Sequence, residues 1–159
     1  MAELRLQLPC DVRVLEEGFA AGAVLGAFDE ATAGSGAVVS FTGKVRPEEA
    51  VQALELTHYE PLTLPGMVSL AEEAFARWPL DALLAWHRTG TMRPGEPVVL
   101  VAAAAPHRRE AFQAADYLMD CLKTEAWFWK RERRADEWHW IEPRPRDHAD
   151  AKRWTQPDS

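Results

Sequence analysis

Pro97-Val-Val-Leu-Val-Ala-Ala-Ala-Ala-Pro106 decides the fold. Val98–Ala104 is apolar at every position, without alternation, which predicts a central strand buried on both faces. That strand, Pro97–Ala104, follows a turn at Arg93-Pro-Gly-Glu96, and a second strand, Ala82–Thr89, lies before the turn. Pro106 then opens a helix predicted to run to about Thr124, because proline is tolerated in a first helical turn. Phe112, Ala115, Met119 and Leu122 are its expected buried stripe.

Upstream, Leu4, Leu6 and Leu8 alternate and suggest a short first strand ended by Pro9. Residues 12–31 are expected to hold a helix, although Gly18, Gly22 and Gly26 disfavour one. After a turn at Gly34-Ser-Gly36 come two strands, Gly36–Val45 and Val51–Tyr59, expected to pair through the loop Arg46–Ala50. Met67, Leu70, Ala71, Ala74, Phe75 and Trp78 have helical spacing, and Pro79 stops that helix. Downstream, Trp127–Arg133 and Trp138–Ile141 read as a hairpin around Ala135-Asp-Glu137. The tail from about Pro143 is polar, holds three prolines and is expected to be irregular. Strands and helices mix without strict alternation, so the class is α+β.

The 159 residues suit one domain spanning 1–159, and an apolar fraction of 47% suits a packed core. The net charge of −7 argues against a general nucleic-acid binder. Residues 123–146 depart from that acidity: Lys123, Lys130, Arg131, Arg133, Arg134, Arg144 and Arg146 face five acids there. A locally basic pocket on an acidic protein suits a small anionic substrate. Cys10 and Cys121 match no metal motif and are too few for a disulfide framework, so a reducing, cytoplasmic setting is expected. No apolar run reaches membrane-spanning length, and the N-terminus shows no signal-peptide pattern. The histidines show no metal-ligand spacing, so no metal is assigned.

Lys123 and Lys130 flank the run Trp127-Phe-Trp129. At 100° per residue Lys123 lies about 20° from Phe112 and about 40° from Met119, so it continues the apolar stripe. It can equally be a helix-end lysine complementing the dipole. Lys130 shares strand parity with Phe128 and Glu132, while Trp127, Trp129 and Arg131 point the other way. It is either an exposed lysine or one held among aromatics, where acid–base work becomes accessible. His107 and Arg108 open the long helix, where free N–H groups favour an anion. Cations there oppose the dipole unless an anion is bound. Gly43-Lys-Val-Arg46 ends a strand with two cations but lacks the spacing of a phosphate-binding loop.

Several short motifs occur together. They are Val39-Ser-Phe-Thr-Gly-Lys-Val-Arg46, Leu56-Thr-His-Tyr59, Arg77-Trp-Pro79, His87-Arg-Thr-Gly90, Pro94-Gly-Glu96 and Ala105-Pro-His-Arg108. Asp120-Cys-Leu-Lys-Thr124, Trp127-Phe-Trp-Lys-Arg-Glu132 and Ala151-Lys-Arg-Trp154 complete the set. In this order, across residues 36–154, the chain resembles the large, catalytic subunits of molybdopterin synthase. The resemblance implies an α/β hammerhead-type fold, with a mixed or antiparallel sheet and a small additional β subdomain. It implies a homodimer that binds a small ubiquitin-like sulfur carrier ending in a Gly-Gly thiocarboxylate, giving a heterotetramer. The implied reaction moves two sulfurs to cyclic pyranopterin monophosphate, with no cofactor and no cysteine carrier. By motif match, Lys123 and Lys130 would be catalytic. Arg46, His107, Arg108 and Arg144 would hold the substrate, supported by Lys44, Arg131 and Glu132. Phe41, Met119 and Phe128 would wall the pocket. The loop after Arg46 is shorter than in relatives, and Glu60–Gly66 is longer. Two rivals remain at this point: a module stacking single-stranded nucleic acid on its Trp/Arg stretch, and a scaffold that holds the carrier without catalysis.

Overall fold

The computed structural model describes residues 4–48, 50–125, 127–142 and 145–155. The elements are β1 (Cys10–Leu15), α1 (Ala21–Ala31), β2 (Ala37–Lys44), β3 (Ala53–His58), α2 (Glu60–Arg77) and β4 (Ala82–Arg88). They continue with β5 (Gly90–Met92), β6 (Pro97–Ala105), α3 (Arg108–Thr124), β7 (Phe128–Arg134), β8 (Glu137–Ile141) and α4 (Pro145–Lys152). Two four-stranded sheets result, ordered β1-β4-β6-β2 and β5-β3-β7-β8. The first is mixed, with β1 parallel to β4 and the other pairs antiparallel. The second is antiparallel throughout. The class is therefore α+β, as expected.

β6 is central and covered on both faces, as its unbroken apolar run requires. Val99, Val101 and Ala103 pack toward α2 and α3, against Met67, Ala71, Leu118 and Leu122. Leu100, Ala102 and Ala104 pack toward α1, against Val24 and Phe28. The alanines let helices approach closely on both sides. A third cluster, Val45, Leu56, Met92 and Val98, fills the space where the two sheets meet.

Several expectations are overturned. Pro9 precedes the first strand instead of ending it: Cys10–Leu15 gains a parallel partner in β4, and Leu6 and Leu8 pack on the α1 side. The first helix is accordingly confined to Ala21–Ala31. β2 and β3 do not pair with each other. β2 joins β6, and β3 joins β5 and β7, because each finds a longer-range partner with a buried face. α2 begins at Glu60, not Met67, with a proline in its first turn and Pro65 inside it. β5 was not anticipated at all. In α3 the buried stripe includes Ala111, Ala114, Ala115, Leu118, Met119 and Leu122, whereas Phe112 is 60% exposed. Alanines, not the large aromatic, mark the packed face. The tail holds a helix, α4, in place of irregular chain. The final hairpin turns through Ala135 and Asp136, both left-handed at φ 48° and 62°, as a two-residue type I′ loop demands.

Two glycines permit close approach. A Cβ on Gly36 would lie 2.0 Å from the Pro106 carbonyl oxygen, so the start of β2 is pressed against the start of α3. A Cβ on Gly66 would lie 2.2 Å from the Trp127 ring, which seats the entry to β7 on α2. A rigid indole cannot yield as a flexible side-chain end would. Gly66→Ala is expected to destabilise the protein by about 1–3 kcal/mol through overpacking. Urea unfolding measures this, and an unchanged midpoint would show that Trp127 has room to move.

Candidate functional site

A cleft of about 450 Å³ opens between the two sheets, lined by residues from β2, β3, β4, β6, β7, β8, α3 and α4. It gathers Lys44, Arg46, Lys123, Lys130 and Glu132, with Phe41, Met119 and Phe128 in its walls. Each arrives for a local reason. The β2–β6 ladder shifts register between Gly43 and Lys44, and such a bulge re-aims the side chain that follows. Lys123 sits in the last turn of α3. On β7, alternation turns Phe128, Lys130 and Glu132 inward, as their parity predicts.

The same alternation turns Arg131 outward. It makes two bonds to Glu55, at 2.8 and 3.0 Å, and stacks over Trp138 at 4.5 Å. Arg131, expected to support the substrate, is thus engaged on the far face of the sheet. His107 and Arg108 are exposed at the N-terminal end of α3 and do not line the cleft. Arg144 lies outside the described residues. Along the rim, Arg46 pairs with Glu48 at 3.3 Å, Glu48 with Arg134 at 3.0 Å, and Arg134 with Glu132 at 2.8 Å. These pairs are partly exposed and contribute little to stability singly, but they order the charges at the mouth. Lys123 Nζ is 3.9 Å from an Asp147 carboxylate oxygen of α4. A second groove of about 430 Å³ runs along β2 and α3 and shares Phe41, Met119, Lys123 and Asp147 with the first.

His87 is a site residue that the motif reading did not single out for a role. It is 6% exposed, on β4, and its ring stacks on Phe128 with centroids 3.9 Å apart and planes at 16°. Nδ1 lies 2.9 Å from the Arg88 carbonyl oxygen, so Nδ1–H donates there. Burial pushes the imidazole down to about 4; the Arg88 carbonyl opposes this, and the nearby Lys130 and His58 charges add to it. A neutral ring beside Lys130 follows. The sequence signal was a histidine following the apolar run Ala82–Trp86 in a strand buried on both faces.

The cysteines stand apart from the cleft. Burial, followed by the charge of Glu125, pushes the Cys121 thiol up to about 11, and a hydrogen bond with Tyr117 only partly opposes this. The Cys10 thiol is likewise raised, by burial and then by Asp11. Neither is a ready nucleophile at neutral pH. Among the described residues no group of three or more His, Cys, Asp or Glu side chains is placed to hold a metal ion, and no helix is long and apolar enough to cross a membrane.

Residues 14–125 match the family model described as MoaE protein. The chain belongs to the MoaE family. The molybdopterin synthase catalytic subunit of Mesorhizobium japonicum is 47% identical over 146 residues, covering 90% of this chain and 92% of that one. The protein of the same name from Caulobacter vibrioides is 44% identical, covering 91% and 97%. Among solved structures, molybdopterin cofactor biosynthesis protein E from Burkholderia multivorans superposes with a TM-score of 0.76 at 37% identity, covering 92% of this chain and 97% of that one. Molybdopterin synthase from Staphylococcus aureus gives 0.71 at 28% identity, covering 80% and 94%. This MoaE chain therefore shares both its fold and most of its sequence length with enzymes of molybdenum cofactor biosynthesis.

The neutral state of His87 has a measurable consequence. Its value is lowered from 6.5 to about 4 in the fold, so across that window the unfolded chain binds a proton that the folded chain does not. Stability therefore falls as pH drops through the window, by up to about 1.4 kcal/mol per pH unit from this group. Urea unfolding at a series of pH values is expected to show a shallower slope for His87→Phe than for the parent. Equal slopes would mean that the folded chain protonates His87 normally.

Proposed function

We propose that this chain is the catalytic subunit of a molybdopterin synthase, a sulfurtransferase acting on a pterin monophosphate. The observation that carries the reading is the cleft itself: two lysines and two further cations converge on a pocket walled by Phe41, Met119 and Phe128, in a chain of the MoaE family. The sulfur donor is a small ubiquitin-like carrier whose Gly-Gly tail ends in a thiocarboxylate. The acceptor is cyclic pyranopterin monophosphate, and the product carries the dithiolene. Residues 1–159 act as one unit, in the cytoplasm, where a thiocarboxylate and free thiols persist.

The chemistry fits the residues. A flat pterin is accommodated between aromatic and thioether walls, which also exclude water. Its phosphate calls for guanidinium and ammonium groups, which Lys44 and Arg46 supply at the strand end. Sulfur transfer from an acyl thiocarboxylate needs proton movement and stabilisation of developing negative charge. Lys123 and Lys130, from opposite walls, serve both needs. Because the sulfur arrives on the carrier, the raised thiols of Cys10 and Cys121 are no obstacle.

Lys123→Ala and Lys130→Ala are each expected to lower product formation by about 10²–10⁴-fold while the chain stays folded. Mass spectrometry of pterin products after mixing with thiocarboxylated carrier reads this directly. Two variants that turn over like the parent would remove the cleft from consideration.

His107 and Arg108 need a further step. Arg108 and Lys123 are fifteen positions apart on α3, roughly 22 Å along the axis, and one pterin does not span that. Two-fold pairing brings His107 and Arg108 of one copy beside the lysines of the other, and the assembly with the carrier is then a heterotetramer. Mixing inactive Arg108→Ala and Lys123→Ala chains should restore part of the activity, since a mixed dimer holds one intact site. Verified subunit exchange without recovered activity would rule out the shared site.

A further inference from the structure

We propose that Asp147 is a positioning residue for Lys123, and that α4 is held in place in order to present it. The inference rests on the reading of Lys123 as a catalytic lysine.

α4 has no stabilising face of its own. It is eight residues long and none of them is buried. Two turns without an apolar stripe do not persist in water unaided. What holds α4 lies just beyond it. Arg153 reaches Asp116 at 2.7 Å and Asp120 at 2.6 Å, both on α3. Trp154 donates from Nε1 to Asp120 at 2.6 Å, and its ring packs edge-on against Trp78 and Tyr117 at 5.6 Å.

Asp116, Asp120 and Lys123 are spaced i, i+4 and i+7, so they form one stripe along α3. The partners run the other way. Arg153, after α4, meets the two acids, and Asp147, at its start, meets the lysine. The charges therefore fix α4 antiparallel to α3 in a single register. In that register an Asp147 carboxylate oxygen lies 3.9 Å from Lys123 Nζ, the Asp147 side chain being 19% exposed and that of Lys123 49%. A lysine at a helix end has several rotamers open to it. The carboxylate selects those that keep Nζ where the two grooves meet, since both residues line both. The apolar clasp around Trp154 is thus the anchor, and the ion pair at the cleft is what it delivers.

The test is steady-state sulfur transfer by the full chain with thiocarboxylated carrier, beside thermal melts. Asp147→Asn keeps size and hydrogen bonding but removes the charge. It should lower kcat by about 10–100-fold, as small misplacements of a reacting group do, with KM within about twofold. Asp147→Glu, which restores the charge, should recover most of the loss. Arg153→Ala should lower kcat in the same direction by releasing the far end of α4, which guards against a folding failure of the first variant. Adding Asp147→Asn to Lys123→Ala should cost nothing more, because the two act as one unit. Parental or increased kcat in both Asp147→Asn and Arg153→Ala, with Lys123→Ala inactive, overturns this proposal alone. An active Lys123→Ala overturns the underlying reading instead.

Discussion

The stack of Phe128 on His87 joins the two sheets. β4 belongs to the first and β7 to the second, and their rings meet face to face at 3.9 Å. That contact fixes which side of β7 faces inward. Once Phe128 is inward, alternation places Lys130 and Glu132 in the cleft and sends Trp129 and Arg131 to the far side. The outward side has its own satisfaction, through the Arg131–Glu55 pair and the Trp138 ring. A slip of one residue would exchange these sets, burying the paired cation and exposing the lysine. Lys130 is therefore positioned by an uncharged contact.

That arrangement explains how an acidic chain maintains a cationic pocket. Lys44 and Arg46 come from the exit of β2, Lys123 from α3 and Lys130 from β7, and acids attend the rim: Glu48 beside Arg46, Asp147 beside Lys123 and Glu132 in the wall. The neutral state of His87 avoids a further positive charge in the interior next to Lys130. Self-repulsion is thus limited without removing the field that an anionic substrate would meet.

Much of this was legible in the sequence, for physical reasons. A short unbroken apolar run opening with valines and bounded by Pro94-Gly95 and Pro106 favours a doubly covered strand, so β6 was plain. Parity on β7 set Lys130 on the side of Phe128 and Glu132, whereas the helix angle left Lys123 open between the cleft and a helix-end role, because its reference, Phe112, is itself exposed. Other features depend on partners far along the chain, which periodicity does not carry. Leu4, Leu6 and Leu8 alternate like a strand, yet it is Cys10–Leu15 that finds β4. The segment between β2 and β3 resembled a hairpin loop, yet the strands belong to different sheets. Phe112 drew the buried stripe of α3 toward itself, although alanines mark the face that packs. His87 and Asp147 enter the site through long-range approach, so no local spacing announced them.

The order β5-β3-β7-β8 also has a kinetic side. Glu55 and Arg131, paired across β3 and β7, are separated by 76 positions, and such closure must be achieved before the pairing returns any stabilisation. β3 has only the three-residue β5 as its other neighbour. The β7–β8 hairpin can close locally, but joining it to β3 cannot, whereas β4 and β6 are joined through a short connection. The cleft needs walls from both sheets, so it is complete only when pairings distant in sequence, β2 with β6 and β3 with β7, have closed.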